Sequence, residues 1–190
     1  VSDLWIVPTD GSAPARRFTN TRGGEGGATF SPDGTLIAFT ARREGDEADQ
    51  VYLQPVAGGP ARRLTTIAMG ASSPKFRPDG KAILFETTSA PGPKAADSAR
   101  AYDTFPVRFW NHWLDLSLEP VIGWQPIDGT VPNFITVTPL RGSFDGSGNE
   151  VLNPVWTPDG AAIVFEASAN RDKYMREPIE TSLYLVPVGG

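Results

Sequence analysis

The chain has 190 residues, enough for one domain with a proper core, and its net charge of −5 comes with no clustered Lys or Arg stripe, which argues against nucleic-acid binding. It has no cysteine, excluding disulfides and thiolate metal sites, and no apolar run approaching the roughly 20 residues that a membrane helix needs. Its 20 glycines and 18 prolines, set among short β-branched and aromatic runs, favour short strands joined by tight turns.

In chain order, the opening VSDLWIVP already reads as a strand and not as the basic start of a signal peptide, so any such peptide is expected to be removed or to lie upstream. The stretch LWIVPTDG (4–11) leads into APARRFT (13–19). FSPDGTLIAFTA (30–41) follows, then ARREGDE (41–47), a mixed-charge run read as a solvated hairpin tip. VYLQPVAGG (51–59) leads into GPARRLT (59–65), nearly repeating the first exit, and FRPDGKAILFET (76–87) repeats the Pro-Asp-Gly strand. A third copy, WTPDGAAIVFEA (156–167), lies between IGWQPIDG (122–129) and LYLVPVGG (183–190).

Each piece has readable chemistry. Proline presets φ for the first turn position, aspartate hydrogen-bonds the following backbone, and glycine takes the left-handed conformation, so Pro32, Asp33 and Gly34 predict a hairpin turn. The strands that follow (LIAF, AILF, AIVF) are apolar at consecutive positions, which predicts cover on both faces. A four-stranded antiparallel unit of about 45 residues, repeated and buried between neighbours, is a β-propeller blade. A β-sandwich with three similar hairpins is the alternative, but it leaves the constant register unexplained.

The fold class predicted is therefore all-β, a partial β-propeller. Outer strands of one blade span 3–19, a blade 25–65, a long blade 70–140 with an insertion at 88–117, and an incomplete blade 151–190. From Asp33 to Asp79 the spacing is 46 residues, and from Asp79 to Asp159 it is 80, leaving 34 extra in the long blade. Open blade edges predict either a longer propeller or self-association with other copies.

The insertion contains AYDTFPVRFWNHWLD (101–115), with two of the five tryptophans and the only histidine, His112. Together with the Pro-Asp-Gly repeats, TPLRGSFDGSGNEV (138–151) and the final FEASANRDKYMREPIETSLYLVPVGG (165–190), it resembles propellers of TolB-like proteins and of prolyl oligopeptidase-family serine peptidases, in particular the dipeptidyl-peptidase and acylaminoacyl-peptidase branch. Arg108, Trp110, Trp113 and Asp115 match that branch's valine-arginine-histidine-tryptophan-aspartate-x-tryptophan segment. Phe109 replaces its histidine, Asn111 replaces its aspartate, and His112 stands where threonine is usual.

The resemblance implies a non-catalytic propeller that gates and orients peptide substrates for an α/β-hydrolase domain of the same polypeptide, outside this chain. It also implies a periplasmic or secreted location, with a cytoplasmic one as the alternative. Arg108, Trp110, Asn111, Trp113 and Asp115 are then the substrate-facing candidates, either packed over the long blade or turned to the substrate. No Gly-x-Ser-x-Gly nucleophile elbow occurs, so no catalytic residue is assigned, nor any metal or cofactor. FDGSGNE (144–150) places Asp145, Ser147 and Asn149 at alternate positions, but it lacks the twelfth-position carboxylate and flanking helices of a calcium loop and reads as a turn. Arg16–Arg17 and Arg62–Arg63 are expected to pair with neighbouring blades. Two other functions stay open: a stand-alone or TolB-like protein-binding propeller, and a lactonase-like channel enzyme with a central metal, for which Glu86 and Glu166 are among few ligands.

Overall fold

The structure, a computed structural model, describes residues 2–21, 23–90, 108–109, 112–113, 117–145, 148–173 and 176–188. The first sheet pairs β1 (Trp5–Ile6) with β2 (Arg16–Arg17). The second has the order β3 (Glu25–Phe30), β4 (Leu36–Ala41), β5 (Gln50–Pro55), β6 (Arg62–Arg63), each strand antiparallel to the next. β7 (Ser72–Phe76) and β8 (Ala82–Thr88) open the third sheet. After the hairpin β9 (Arg108–Phe109) and β10 (His112–Trp113), that sheet is completed by β11 (Pro120–Pro126) and β12 (Asn133–Thr136), in the order β12-β11-β8-β7. A second small hairpin, β13 (Ser143–Phe144) and β14 (Glu150–Val151), precedes a three-stranded sheet of β15 (Val155–Trp156), β16 (Ala162–Ser168) and β17 (Thr181–Pro187). The only helical turn among the described residues is a short 3-10 turn at Arg171–Lys173. The all-β, four-stranded propeller unit expected from the repeats is the architecture observed.

The Pro-Asp-Gly turns are alike in all three copies. Gly34, Gly80 and Gly160 have φ of 71°, 72° and 68°, a region that a Cβ disfavours. Asp33 Oδ1 accepts the Thr35 N–H at 3.0 Å, Asp79 Oδ1 the Lys81 N–H at 2.9 Å and Asp159 Oδ1 the Ala161 N–H at 3.0 Å. These bonds favour ionised carboxylates. Asp33 is held below the usual range chiefly by the Ser31 hydroxyl, Asp159 chiefly by Thr157, and Asp79 is lowered to about 2 chiefly by the Arg77 guanidinium.

Two compact units emerge, Val1–Phe85 with Gly123–Asn133, and Glu86–Ile122 with Phe134–Gly190; the boundary cuts across β8 and β11. In the first unit, β4 and β5 are covered on both faces, as their unbroken apolar runs predict. Ala38, Val51 and Leu53 pack with Ile83 and Phe85 on one side, and Ile37, Phe39 and Tyr52 pack with Leu4, Ile6 and Phe18 on the other. Gly123 on β11 makes room for the Phe85 ring, which a Cβ there would strike.

In the second unit, Ile163, Phe165 and Ala167 are buried, with Phe165 stacked on Tyr184 at 5.6 Å. The alternate face of β16 and β17 departs from the expectation of two-sided cover: Glu166, Leu183 and Leu185 are exposed. In the register of the repeat, Val164, Leu183 and Leu185 stand where Ala38, Val51 and Leu53 stand in the second sheet.

The paired arginines divide their work between two kinds of contact, which corrects the expectation of ion pairs to neighbouring blades. Arg17 pairs with Asp3 at 2.6 Å and Arg63 with Asp46 at 2.6 Å, each within its own sheet. The neighbouring sheet is reached by hydrogen bonds to turn carbonyls: Arg16 donates to Val56 at 3.3 Å, and Arg62 to Ile127. The exit threonines have a common job. Thr19 Oγ1 accepts the Leu4 N–H at 2.9 Å and donates to Glu25 at 2.6 Å. Thr65 Oγ1 accepts the Val51 N–H at 2.9 Å and donates to Gln50 at 2.8 Å.

Candidate functional site

The insertion leaves the third sheet after β8 and returns to it before β11. Its two ends are tied together: the Ser89 N–H donates to the Glu119 carbonyl at 2.8 Å, and the Glu119 N–H to Ser89 Oγ at 2.9 Å. Of the five candidate residues, Arg108 and Trp113 are described, while Trp110, Asn111 and Asp115 lie outside the described residues. Arg108 and Trp113 are direct partners across the β9–β10 ladder. The Arg108 guanidinium carbon lies 5.9 Å from the Trp113 ring centre, a cation–π arrangement, and Trp113 is 57 % exposed.

The strand ends in the same unit are held by a cluster that the sequence did not announce. Glu150, on β14, receives two guanidinium groups. Arg141 donates from Nη2 at 2.7 Å and from Nε at 3.0 Å, and Arg171 donates to the same carboxylate oxygen. Arg141 also bonds the Leu118 carbonyl at 3.2 Å, just after the insertion, and Arg171 the Gly142 carbonyl at 2.6 Å. The Arg171 guanidinium lies 4.5 Å from the Phe144 ring centre and the residue is only 5 % exposed. Desolvation lowers its pKa, opposed by Glu150. One carboxylate thereby joins four segments: the return from the insertion, the β12–β13 connection, the β13–β14 hairpin and the β16–β17 connection. Between β13 and β14, Asp145 Oδ1 accepts the Asn149 N–H at 2.9 Å, a turn as expected; Ser147 lies outside the described residues.

Glu86 is buried and its Oε1 accepts the N–H groups of Leu152 at 2.6 Å and Asn153 at 3.2 Å. Among the described residues no group of three or more His, Asp and Glu side chains could hold a metal ion. No helix among them is long and apolar enough to cross a membrane.

In the first unit, ARREGDE is more than a solvated tip. The Asp46 side chain is 1 % exposed and is bound by Tyr52 Oη, by Arg63 and by the Arg43 N–H. Burial raises the Asp46 pKa, but those hydrogen bonds prevail and hold it below the usual carboxylate range. Burial, then Asp46, pushes the Tyr52 phenol up to about 12. The Arg43 guanidinium lies 4.4 Å from the Tyr52 ring centre. An aspartate four residues before the strand start at Gln50, within a run of charged residues, gives no such signal in one dimension.

The family model of the tricorn protease N-terminal β-propeller domain matches residues 1–103. The chain belongs to that family. This tricorn-type propeller is similar in fold to TolB from Acinetobacter baumannii, with 19 % identity and a TM-score of 0.61 over 99 % of this chain and 35 % of that one. It is similar to an acylaminoacyl peptidase from Pyrococcus horikoshii, with 16 % identity and a TM-score of 0.61 over 98 % of this chain and 26 % of that one. It is also similar to an oligogalacturonate lyase from Vibrio parahaemolyticus, with 13 % identity and a TM-score of 0.60 over 98 % of this chain and 42 % of that one. At these identities the likeness is one of fold. The tricorn-type chain thus spans well under half the length of these three solved chains, and no curated protein matches its sequence.

Proposed function

We propose that this chain is the non-catalytic propeller portion of a serine peptidase, where it gates and orients peptide substrates for an α/β-hydrolase domain of the same polypeptide. The observation that supports this most directly is the β9–β10 hairpin. It lies between β8 and β11 in the chain and presents Arg108 beside an exposed Trp113. An exposed indole beside a cation is suited to contact a peptide's side chains and backbone carbonyls.

In this reading Trp110, Asn111 and Asp115 complete the same substrate wall. The sheets are blades at 25–65 and 70–140 with flanking partial blades at 3–19 and 151–190. Chemistry is acyl transfer on the hydrolase domain, in a periplasmic or secreted setting.

The test is made in the full-length gene product. Trp113→Ala is expected to lower kcat/KM for peptides about ten-fold while changing stability by less than about 0.5 kcal/mol, since the side chain is exposed. A full-length product without a Gly-x-Ser-x-Gly hydrolase domain would refute the reading. The fold likeness to TolB favours the second reading, a propeller that binds another protein and carries no hydrolase. Pairing between copies through open blade edges belongs with that reading and predicts a concentration-dependent mass in sedimentation.

A further inference from the structure

Aspartate is followed directly by glycine at 10–11, 33–34, 79–80, 128–129, 145–146 and 159–160. Such a step is chemically fragile. Glycine has no side chain to shield its nitrogen, which can attack the carboxyl carbon of the aspartate before it. What holds that carboxyl decides whether the attack occurs. Gly146 lies outside the described residues, so five steps can be compared.

The five share one backbone arrangement. Each glycine N–H donates to the carbonyl three residues back: Gly11 to Pro8 at 3.3 Å, Gly34 to Ser31 at 2.9 Å, Gly80 to Arg77 at 2.8 Å, Gly129 to Pro126 at 3.1 Å and Gly160 to Thr157 at 2.8 Å. They differ at the carboxylate. In four of them Oδ1 accepts the N–H two residues on, from Ser12 at 2.9 Å, Thr35 at 3.0 Å, Lys81 at 2.9 Å and Ala161 at 3.0 Å. Ser31, Arg77 and Thr157 add side-chain donors to three of these. The bonds fix the carboxylate and favour its ionised form, whereas ring closure needs the neutral acid. All four are accordingly held below the usual carboxylate range. Asp128 is the exception. It is exposed, and its carboxylate has no hydrogen bond or ion pair with the described residues; the Thr130 N–H does not take the place of the four donors above.

We propose that Asp128–Gly129, in the turn between β11 and β12, is a site of spontaneous covalent modification, at which the peptide link moves from the main-chain carboxyl of Asp128 to its side-chain carboxyl. The Gly129 nitrogen bonds to Asp128 Cγ, and its proton leaves with the carboxyl hydroxyl as water, closing a succinimide. Water then reopens the ring. Opening at Cγ restores aspartate; opening at the main-chain carbonyl carbon leaves Gly129 joined through Cγ, an isoaspartate of unchanged mass. Isoaspartate adds one atom to the backbone at a point that fastens this turn to the preceding sheet. The Gly129 carbonyl accepts Gln125 Nε2 at 2.9 Å, and the same nitrogen donates to the Leu64 carbonyl at 2.9 Å from a buried side chain. Displacing the Gly129 carbonyl removes one of those two anchors. The site is independent of whether a hydrolase domain accompanies the propeller.

The experiment ages the 190-residue chain in warm neutral buffer and maps isoaspartate by electron-transfer fragmentation of its peptides. Isoaspartate is expected to accumulate at 128 at least about ten-fold faster than at 10, 33, 79 or 159, the rate factor of one hydrogen bond to a carboxylate. In concentrated urea the five rates should converge, since the bonds that protect four of them are gone. Asp128→Asn, whose neutral amide leaves as ammonia, should form isoaspartate at 128 faster than the wild type. Aged chain should also exchange backbone hydrogens faster than fresh chain in peptides spanning the β11–β12 turn. The proposal is overturned if 128 ages no faster than the other four, if its lead persists in urea, or if Asp128→Asn stays intact. Unchanged hydrogen exchange in chain carrying isoaspartate at 128 would overturn the loosening of the turn.

Discussion

Replacing Glu150 with glutamine tests whether one carboxylate holds the strand ends that root the insertion. The substitution keeps the shape and one carbonyl acceptor but removes the charge shared by Arg141 and Arg171. Removing one member of a buried ion pair costs about 3–5 kcal/mol, because the remaining charge stays desolvated. Arg171 meets that condition at 5 % exposure; Arg141, with its side chain 21 % exposed, is partly rescued by water. The retained amide oxygen offsets one hydrogen bond, so the expected loss is about 3 kcal/mol, at the lower end of that range.

For a chain of this size that corresponds to a fall in Tm of about 6–12 °C. Urea unfolding followed by tryptophan fluorescence measures it, with an unchanged m-value expected if only stability has altered. A double-mutant cycle with Arg171→Met should give a coupling of about 1–3 kcal/mol, since the methionine no longer needs the anion. A loss below about 1 kcal/mol, the range of exposed pairs, would refute the claim that the cluster is a buried clamp.

Three further outcomes follow from contacts elsewhere. Gly123→Ala pushes a methyl into the ring of fully buried Phe85 and should cost about 1–3 kcal/mol in the same unfolding assay. Glu86→Ala should cost about 1–3 kcal/mol by stranding the Leu152 N–H, with Glu86→Gln closer to wild type because its amide oxygen still accepts. Tyr52 has its folded pKa raised from 10.0 to about 12, so its contribution to stability is complete below pH 10 and is lost as pH rises through about 12. Phenolate absorbance should show one of the four tyrosines titrating late, and Tyr52→Phe should remove both that late step and the alkaline loss of stability.

Much of the fold could be read in one dimension because the repeat encodes it locally. Pro-Asp-Gly carries its own turn chemistry: the proline ring, the aspartate acceptor and the left-handed glycine act within five residues. Unbroken apolar strands announced cover on both faces, and β4 and β8 have it. The Thr19 and Thr65 exits could have been read further, since two copies of Arg-Arg-aromatic-or-leucine-Thr point to one bonding role.

The candidate site was legible only in part. The 101–115 segment stood out by composition, and Arg108 faces Trp113 across a hairpin whose register no spacing rule would have supplied. Glu150, Arg141 and Arg171 are 9 to 30 residues apart and carry no periodic signal. They meet because the β12–β13 connection, β14 and the β16–β17 connection converge. Asp46 looked solvated because its run is charged, yet the return of β5 places Tyr52 against it.

The sequence by itself determined the strand-and-turn repeat, the all-β class and the location of the insertion, since these depend on interactions between residues close along the chain. The tertiary structure decided which charges are buried and which apolar face stays open. Those outcomes depend on distant segments meeting at fixed register, where one oxygen of Glu150 serves two arginines and one oxygen of Glu86 serves two backbone donors.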